Sequence, residues 1–174
     1  MTTITRLIEP EAIRQRVAKM AADIAATAPS RDLVLVCVLK GAFVLTADLL
    51  RELGQLGLHP RVEFLRLSSY GNAKESSGEV LVLGDVPDQI KGRHLLVVDD
   101  ILDTGRSLHF ARSMFLERGA ASVSTCVLLD KPQRRVVDLQ ADYSGFEIDD
   151  LFVVGYGIDY AEQYRHLPFV GTVD

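Results

Sequence analysis

Two aspartates, Asp99 and Asp100, follow four apolar residues, Leu95 to Val98, and just beyond them comes Asp103-Thr104-Gly105-Arg106-Ser107. The chemistry of this stretch has two parts. Paired carboxylates offer hard oxygen ligands, which suit Mg²⁺ or groups that travel with Mg²⁺. Two hydroxyls, a cation, a glycine and the free backbone N–H groups of a helix start suit a phosphate. Together they imply a ligand carrying both a phosphate and a metal-bound polyphosphate. The plainer alternative is a solvated strand end followed by a helix cap at Thr104 or Ser107. The crowding of all these groups into one turn favours the ligand reading, because binding residues concentrate in loops held by a rigid scaffold.

The elements around the turn must then position it. Leu95–Val98 is a buried strand, and Leu108, Phe110, Ala111, Met114 and Phe115 recur at helical spacing. Strand, polar turn and helix follow one another, and in open parallel sheets ligands bind beyond the carboxyl ends of such strands. Upstream, Ile13, Val17, Met20, Ala21 and Ile24 predict a helix from Glu9 to Ala28, begun near Pro10 and stopped by Pro29. Leu33–Leu39 is continuously apolar and reads as a strand buried on both faces. It ends at Lys40-Gly41, and a helix is expected over Ala42–Leu53, closed by Gly54 and Gly57. Lys40 is an ordinary surface cation on one reading and, with Gly41, an anion holder at the sheet edge on the other. Strands are expected at Arg61–Ser68, Val80–Leu83 and Ser122–Leu129, with Lys91-Gly92 as a turn. Between the first two lies a polar, glycine-bounded stretch from Ser69 to Gly78, either a solvated hairpin loop or a lid.

Strands thus alternate with helices, which predicts an α/β fold with a mainly parallel sheet flanked by helices. The tail breaks the pattern. Tyr143–Glu147, the apolar run Leu151–Val154 and the turn Gly155–Tyr160 read as a small C-terminal hood. One domain is expected over residues 1–174, with a core at about 30–140 and a hood at about 141–174 that includes part of the N-terminus.

Composition narrows the function. The chain has 174 residues, 48% hydrophobic and 25% charged, which is ordinary for a globular protein. A net charge of −5 gives no positive field for nucleic acid. Cys37 and Cys126 lie in apolar runs, as buried free thiols would in a reducing compartment. No signal-peptide pattern and no membrane-length apolar run is present, so the expected location is the cytoplasm. His59, His94, His109 and His166 show no metal-ligand spacing, and no Ser-His-Asp order, CxxC pair or Walker pattern occurs.

VVDDILDTGRSL, residues 97–108, resembles the phosphoribosyl-diphosphate (PRPP) signature of type I phosphoribosyltransferases. LKG at Leu39–Gly41 is similar to the family's pyrophosphate loop. SSYG followed by SSGEV is similar to its mobile lid, and LFVVGYGIDYAEQYRHLPF to its base-binding hood. The resemblance runs from about Leu33 to Phe169 and is strongest to the bacterial hypoxanthine-guanine branch. It implies Mg²⁺-dependent purine salvage: PRPP and hypoxanthine or guanine give IMP or GMP and pyrophosphate.

The resemblance also implies roles. Asp99 and Asp100 would hold the ribose hydroxyls and the metal, directly or through water. Asp103 would take the N7 proton, and Asp103 with Thr104, Gly105, Arg106 and Ser107 would bind the 5′-phosphate. Lys40, Gly41 and Arg165 would grip pyrophosphate, with a cis peptide between Leu39 and Lys40. Lys131 would select a 6-oxo group, Phe152 would stack on the purine, and the Val153 backbone would read its edge. Asp159 would serve the 2-position or a second metal, and Ser69 and Tyr70 would close as a lid. Many relatives have Glu-Asp where this chain has Asp99-Asp100, which shifts metal contacts toward a water-mediated shell. By analogy with relatives, a homodimer or homotetramer is expected.

Two other readings compete. One is a regulator of the same fold that binds RNA or a protein; the acidic balance and Asp103 weigh against it. The other is a transferase for xanthine or a pyrimidine; Lys131 and the Phe152-Val153 hood weigh toward 6-oxopurines.

Overall fold

Side chains alternate along β2 (Leu33–Leu39), and that alternation organises the molecule. Leu33, Leu35 and Cys37 enter one core, with Ile13, Val17, Met20 and Ile24 of α1 (Pro10–Thr27) and Leu45, Leu49 and Leu53 of α2 (Phe43–Gln55). Val34, Val36 and Val38 enter a second core on the other face, with Leu108, Ala111 and Phe115 of α3 (Arg106–Glu117). A strand covered on both faces reads as an unbroken apolar run, as this one does. The structure, a computed structural model, describes residues 3–69 and 78–173.

The larger sheet also contains β3 (Arg61–Ser69), β4 (Val80–Val82), β5 (His94–Leu102), β6 (Ser122–Asp130) and β7 (Tyr143–Glu147). Its order is β4-β3-β2-β5-β6-β7, six strands, all parallel except β4, which runs against β3. A second, three-stranded sheet joins β1 (Ile4–Ile8), β9 (Val170–Val173) and β8 (Val153–Val154), antiparallel throughout. From β2 the chain winds outward to β3, and from β5 it winds the opposite way to β6. The switch point therefore lies between β2 and β5, where a crevice opens beyond the strand ends.

Four expectations need correction. The acids Asp99 and Asp100 lie inside β5, because its ladder with β6 continues past them, pairing Asp99 with Val127 and Leu102 with Asp130. The second helix begins at Phe43 and runs to Gln55, through Gly54. Its inward stripe is Leu45, Leu49 and Leu53, which leaves Phe43 exposed, and the chain turns at Gly57, whose φ is +80°. Tyr143–Glu147 is part of the large sheet, since β7 pairs with β6 in parallel, so the residues of the second sheet begin later than 141. Ser69 extends β3 by one residue through its pairing with Val80, whereas Tyr70 lies outside the described residues.

Candidate active site

β5 delivers the first part of the site. After Leu102 the chain turns through Asp103 and Thr104 to Gly105, which takes φ +86° and precedes α3. A side chain at Gly105 would come within 2.8 Å of Val137 and 3.1 Å of Arg135, so glycine is demanded by both conformation and space. Arg135 holds the turn from beneath: its guanidinium donates to the carbonyls of Leu102 (3.2 Å) and Asp103 and pairs with Asp130. The result is a depression of about 70 Å³ lined by Asp99, Asp103, Thr104, Gly105, Ser107 and neighbouring apolar residues. No side chain caps α3 in the usual way, and Thr104 Oγ1 accepts only a long bond from Arg106 N, 3.4 Å. The helix N-terminus thus faces a small hollow, the arrangement that accommodates an anion. Arg106 departs from expectation: its backbone N–H belongs to the turn, but its guanidinium extends to Gly78, ahead of β4.

The acid pair sits one step back along β5. Asp99 is 9% exposed and accepts a 2.9 Å bond from Asp100 N. Burial, reinforced by the neighbouring Asp100 charge, pushes the Asp99 carboxyl well above its usual range. Asp100 is only partly buried; one carboxylate oxygen accepts from Ile101 N at 2.8 Å. Its other oxygen stands where a side chain on Gly41 would be, so the acid pair and the Lys40-Gly41 turn touch. The Leu39–Lys40 peptide is cis.

The second sheet brings a charged cluster to the same place. A side chain on Gly157 would strike the Gly41 carbonyl, so this segment lies directly on the Lys40-Gly41 turn. Arg165 donates to the Gly157 carbonyl at 2.8 Å and pairs with Asp159 at 3.0 Å. Lys40 pairs with Glu162 at 2.9 Å, and Glu162 also stands 3.8 Å from Arg165. Tyr156, the middle of the Gly-Tyr-Gly turn, donates its hydroxyl to Asp48 on α2.

The third group lies beyond β6. Lys131 is not the surface cation its strand-end position allows: it is 7% exposed, and Nζ donates to the Leu151 carbonyl at 2.7 Å. Its own N–H bonds the Leu102 carbonyl at 2.9 Å, which ties it to the end of β5. Asp150 stands 3.9 Å from Lys131 and 3.7 Å from Arg134, and Arg134 Nε reaches Asp103 Oδ1 at 3.0 Å. Asp103 and Lys131 therefore share one charged chain. Phe152 is 57% exposed and meets Tyr160 edge-on, centroids 5.5 Å apart, while Val153 is buried in β8. An apolar ring left half in solvent beside a charged cluster is a surface on which a flat base can stack.

The expected residues thus converge, except that the Arg106 guanidinium extends to Gly78 and that Ser69's side chain and Tyr70 fall outside the described residues. Sequence reasoning missed Arg134, Arg135, Glu162 and the Tyr156–Asp48 bond. The Arg134-Arg135 pair after Pro132 was visible as charge, but nothing in the spacing shows which carbonyl or carboxylate an arginine will reach. A larger cavity, about 770 Å³, lies between α1, α2 and residues 165–168; it shares Arg165 with the site but has no acid pair and no phosphate turn. Among the described residues, no cluster of three or more His, Cys, Asp or Glu could hold a metal on protein ligands alone. No helix among them is long and apolar enough to cross a membrane.

Comparison with known proteins agrees with this geometry. A model of the phosphoribosyl transferase domain matches residues 4–161. The chain is 42% identical over 167 residues to a hypoxanthine-guanine phosphoribosyltransferase of Streptococcus pneumoniae, covering 96% of this chain and 91% of that one. It is 40% identical over 173 residues to the hypoxanthine phosphoribosyltransferase of Escherichia coli, with 98% and 96% covered. A crystal structure of a hypoxanthine-guanine phosphoribosyltransferase from Bacillus anthracis, with a HEPES molecule in its active site, superposes with a TM-score of 0.91 at 42% identity, over 99% of this chain and 100% of that one. Sequence, fold and site geometry converge: the chain belongs to the phosphoribosyltransferase family, among the hypoxanthine-guanine phosphoribosyltransferases.

Proposed function

We infer that this chain transfers the phosphoribosyl group of PRPP to N9 of a 6-oxopurine, hypoxanthine or guanine, giving IMP or GMP and pyrophosphate. The observation that carries the reading is the link between the phosphate turn and the base end. Asp103 heads the turn, and through Arg134 and Asp150 it connects to Lys131. A sugar phosphate seated in the turn then has its reacting carbon between that acid and the Lys40-Gly41 grip.

Roles follow from the groups. The backbone of the turn, with Thr104 and Ser107, holds the 5′-phosphate. That anchor lies away from the reacting bond, so its binding energy positions C1 of the ribose. Asp103 accepts the N7 proton as N9 attacks; Arg134 engages Oδ1, and Oδ2 is the oxygen assigned to the proton. Lys40, the Gly41 backbone and Arg165 hold the departing pyrophosphate. Lys131 spends one donor on Leu151 and keeps others that would meet O6; an ammonium has no acceptor, so a 6-amino group would find no partner there. Phe152 stacks on the purine and the Val153 backbone reads its edge.

The donor set fits Mg²⁺ that arrives on the diphosphate. Such an ion keeps several waters and needs only one or two carboxylates. Asp100, partly buried beside Gly41, is the side chain best placed to meet it. Asp99, whose buried carboxyl is pushed above its usual range, would act on the ion only through Asp100, whose N–H it accepts, and Asp159 is paired with Arg165. When bound, Mg²⁺ neutralises the leaving group. We assign the second sheet with its turns as the hood and Ser69-Tyr70 as the lid that keeps water from the activated ribose. We also assign the protein to the cytoplasm and to a homodimer or homotetramer, a reading supported only by its likeness to the relatives above.

Initial rates of pyrophosphate release test this, with PRPP and each of hypoxanthine, guanine, xanthine and adenine. Turnover is expected with 6-oxopurines, not adenine, and is lost in excess EDTA. Absence of release with both hypoxanthine and guanine overturns the assignment.

A further inference from the structure

The cations that would grip pyrophosphate are already partnered. Lys40 Nζ lies 2.9 Å from Glu162 Oε2, Arg165 lies 3.0 Å from Asp159, and Glu162 stands 3.8 Å from Arg165. Lys40, Glu162, Arg165 and Asp159 thus alternate in sign and cancel in charge.

Glu162 is not a chance surface side chain in this row. Its backbone N–H donates to Asp159 Oδ2 at 2.8 Å, and Tyr160 and Gln163 exchange backbone bonds of 3.1 and 3.0 Å around it. Ala161, Glu162 and Tyr164 all take positive φ, from +50° to +72°, a conformation that residues with a Cβ adopt rarely. The turn therefore presents the Glu162 carboxylate to Lys40 in a defined way. The Glu162 side chain is also 67% exposed, so its carboxylate returns to water without a burial cost. The Lys40 ammonium holds the Glu162 carboxyl below the usual carboxylate range.

We propose that Glu162 is an internal counterion of the pyrophosphate grip: it occupies Lys40 when the diphosphate is away and is displaced when PRPP or pyrophosphate binds. This rests on the reading of Lys40 and Arg165 as that grip. Glu162 lowers the affinity for diphosphate, and its return to Lys40 favours release of the product. No role for Glu162 in the base half of the site is implied.

Glu162→Gln keeps size and removes the charge. The probes are inorganic pyrophosphate binding by calorimetry and the KM of PRPP, each at low and high salt. Exposed ion pairs are modest, so pyrophosphate Kd and PRPP KM are expected to fall about two- to fivefold. The gain shrinks at high salt, and the KM of the purine stays unchanged. The gain also disappears when Lys40→Met is already present. Unchanged or weaker pyrophosphate binding in Glu162→Gln, with Lys40→Met weakening it, overturns the counterion alone. Unchanged binding in Lys40→Met overturns the grip and the counterion together.

Discussion

The phosphate turn and the charged cluster around Lys40 are built by different means. The turn hangs from β5, a central strand of the large sheet, and is held by Arg135 bonds to backbone carbonyls and by a glycine at φ +86° packed against Val137. The cluster instead joins Lys40, just beyond β2 of the same sheet, to residues 159–165 between β8 and β9 through side-chain ion pairs, of which Lys40–Glu162 is well exposed. A phosphate that merely anchors needs a fixed cradle. A diphosphate that enters and leaves needs cations that can exchange partners, and solvent-exposed pairs exchange at little cost. On the proposed reading, the rigid half would position the sugar and the adjustable half would handle the leaving group.

Substitutions can break this contrast. The largest effect is expected at the junction: Asp103→Asn lowers kcat by about 10²- to 10⁴-fold with PRPP affinity nearly intact, in steady-state and binding assays. Lost PRPP affinity with normal turnover would place Asp103 wholly in the cradle. Lys131→Ala is expected to erode the preference for 6-oxopurines over adenine by about tenfold to a hundredfold, read from kcat/KM with each base. An unchanged preference removes Lys131 as selector.

Gly105→Ala tests the rigid half. It forces an L-residue to φ +86° and into contact with Val137, at about 1–2 kcal/mol, with a raised KM for PRPP and a lowered Tm. If PRPP KM does not change, the turn is not the fixed cradle described above. Tyr156→Phe tests the tether of the hood to α2 and has the smallest effect, about 1 kcal/mol in thermal melts. It also carries a pH signature. Burial, and next the bond to Asp48, raise the Tyr156 phenol above its ordinary 10.0, so in the fold it stays protonated where the unfolded chain ionises. The folded state then binds more protons above about pH 10, and stability falls as pH rises past that value. Tyr156→Phe removes this part of the alkaline decline; an unaltered decline shows that the bond does not hold the hood.

The legible part of the molecule was local. Leu33–Leu39 and Leu95–Val98 read as buried strands because they are short, valine-rich, continuously apolar runs that end in polar or glycine-containing turns. The helix before the first of them came within one residue at each end, since Pro10 and Pro29 punctuate it. Asp99 and Asp100 read from the sequence as the end of their strand, because two acids close its apolar run, and only the partner strand β6 shows that the ladder continues. Tyr143–Glu147 reads with the tail for a similar reason: five residues of mixed polarity do not announce that they will extend a sheet whose last strand ends well before them. Lys131 illustrates the same limit at the site, since burial of an ammonium depends on a carbonyl twenty positions away.

By itself the sequence determined the alternation of strands and helices, the phosphate turn between Asp103 and Ser107, and the motifs that mark the family, because each depends on neighbours along the chain. Only the tertiary structure decided that Gly157 lies on Gly41, that Arg134 joins Asp103 to the Lys131 end, and that Glu162 reaches Lys40. These are contacts between segments far apart in the chain, and a side chain's partner across such a distance is set by how the two sheets meet, which no local spacing encodes.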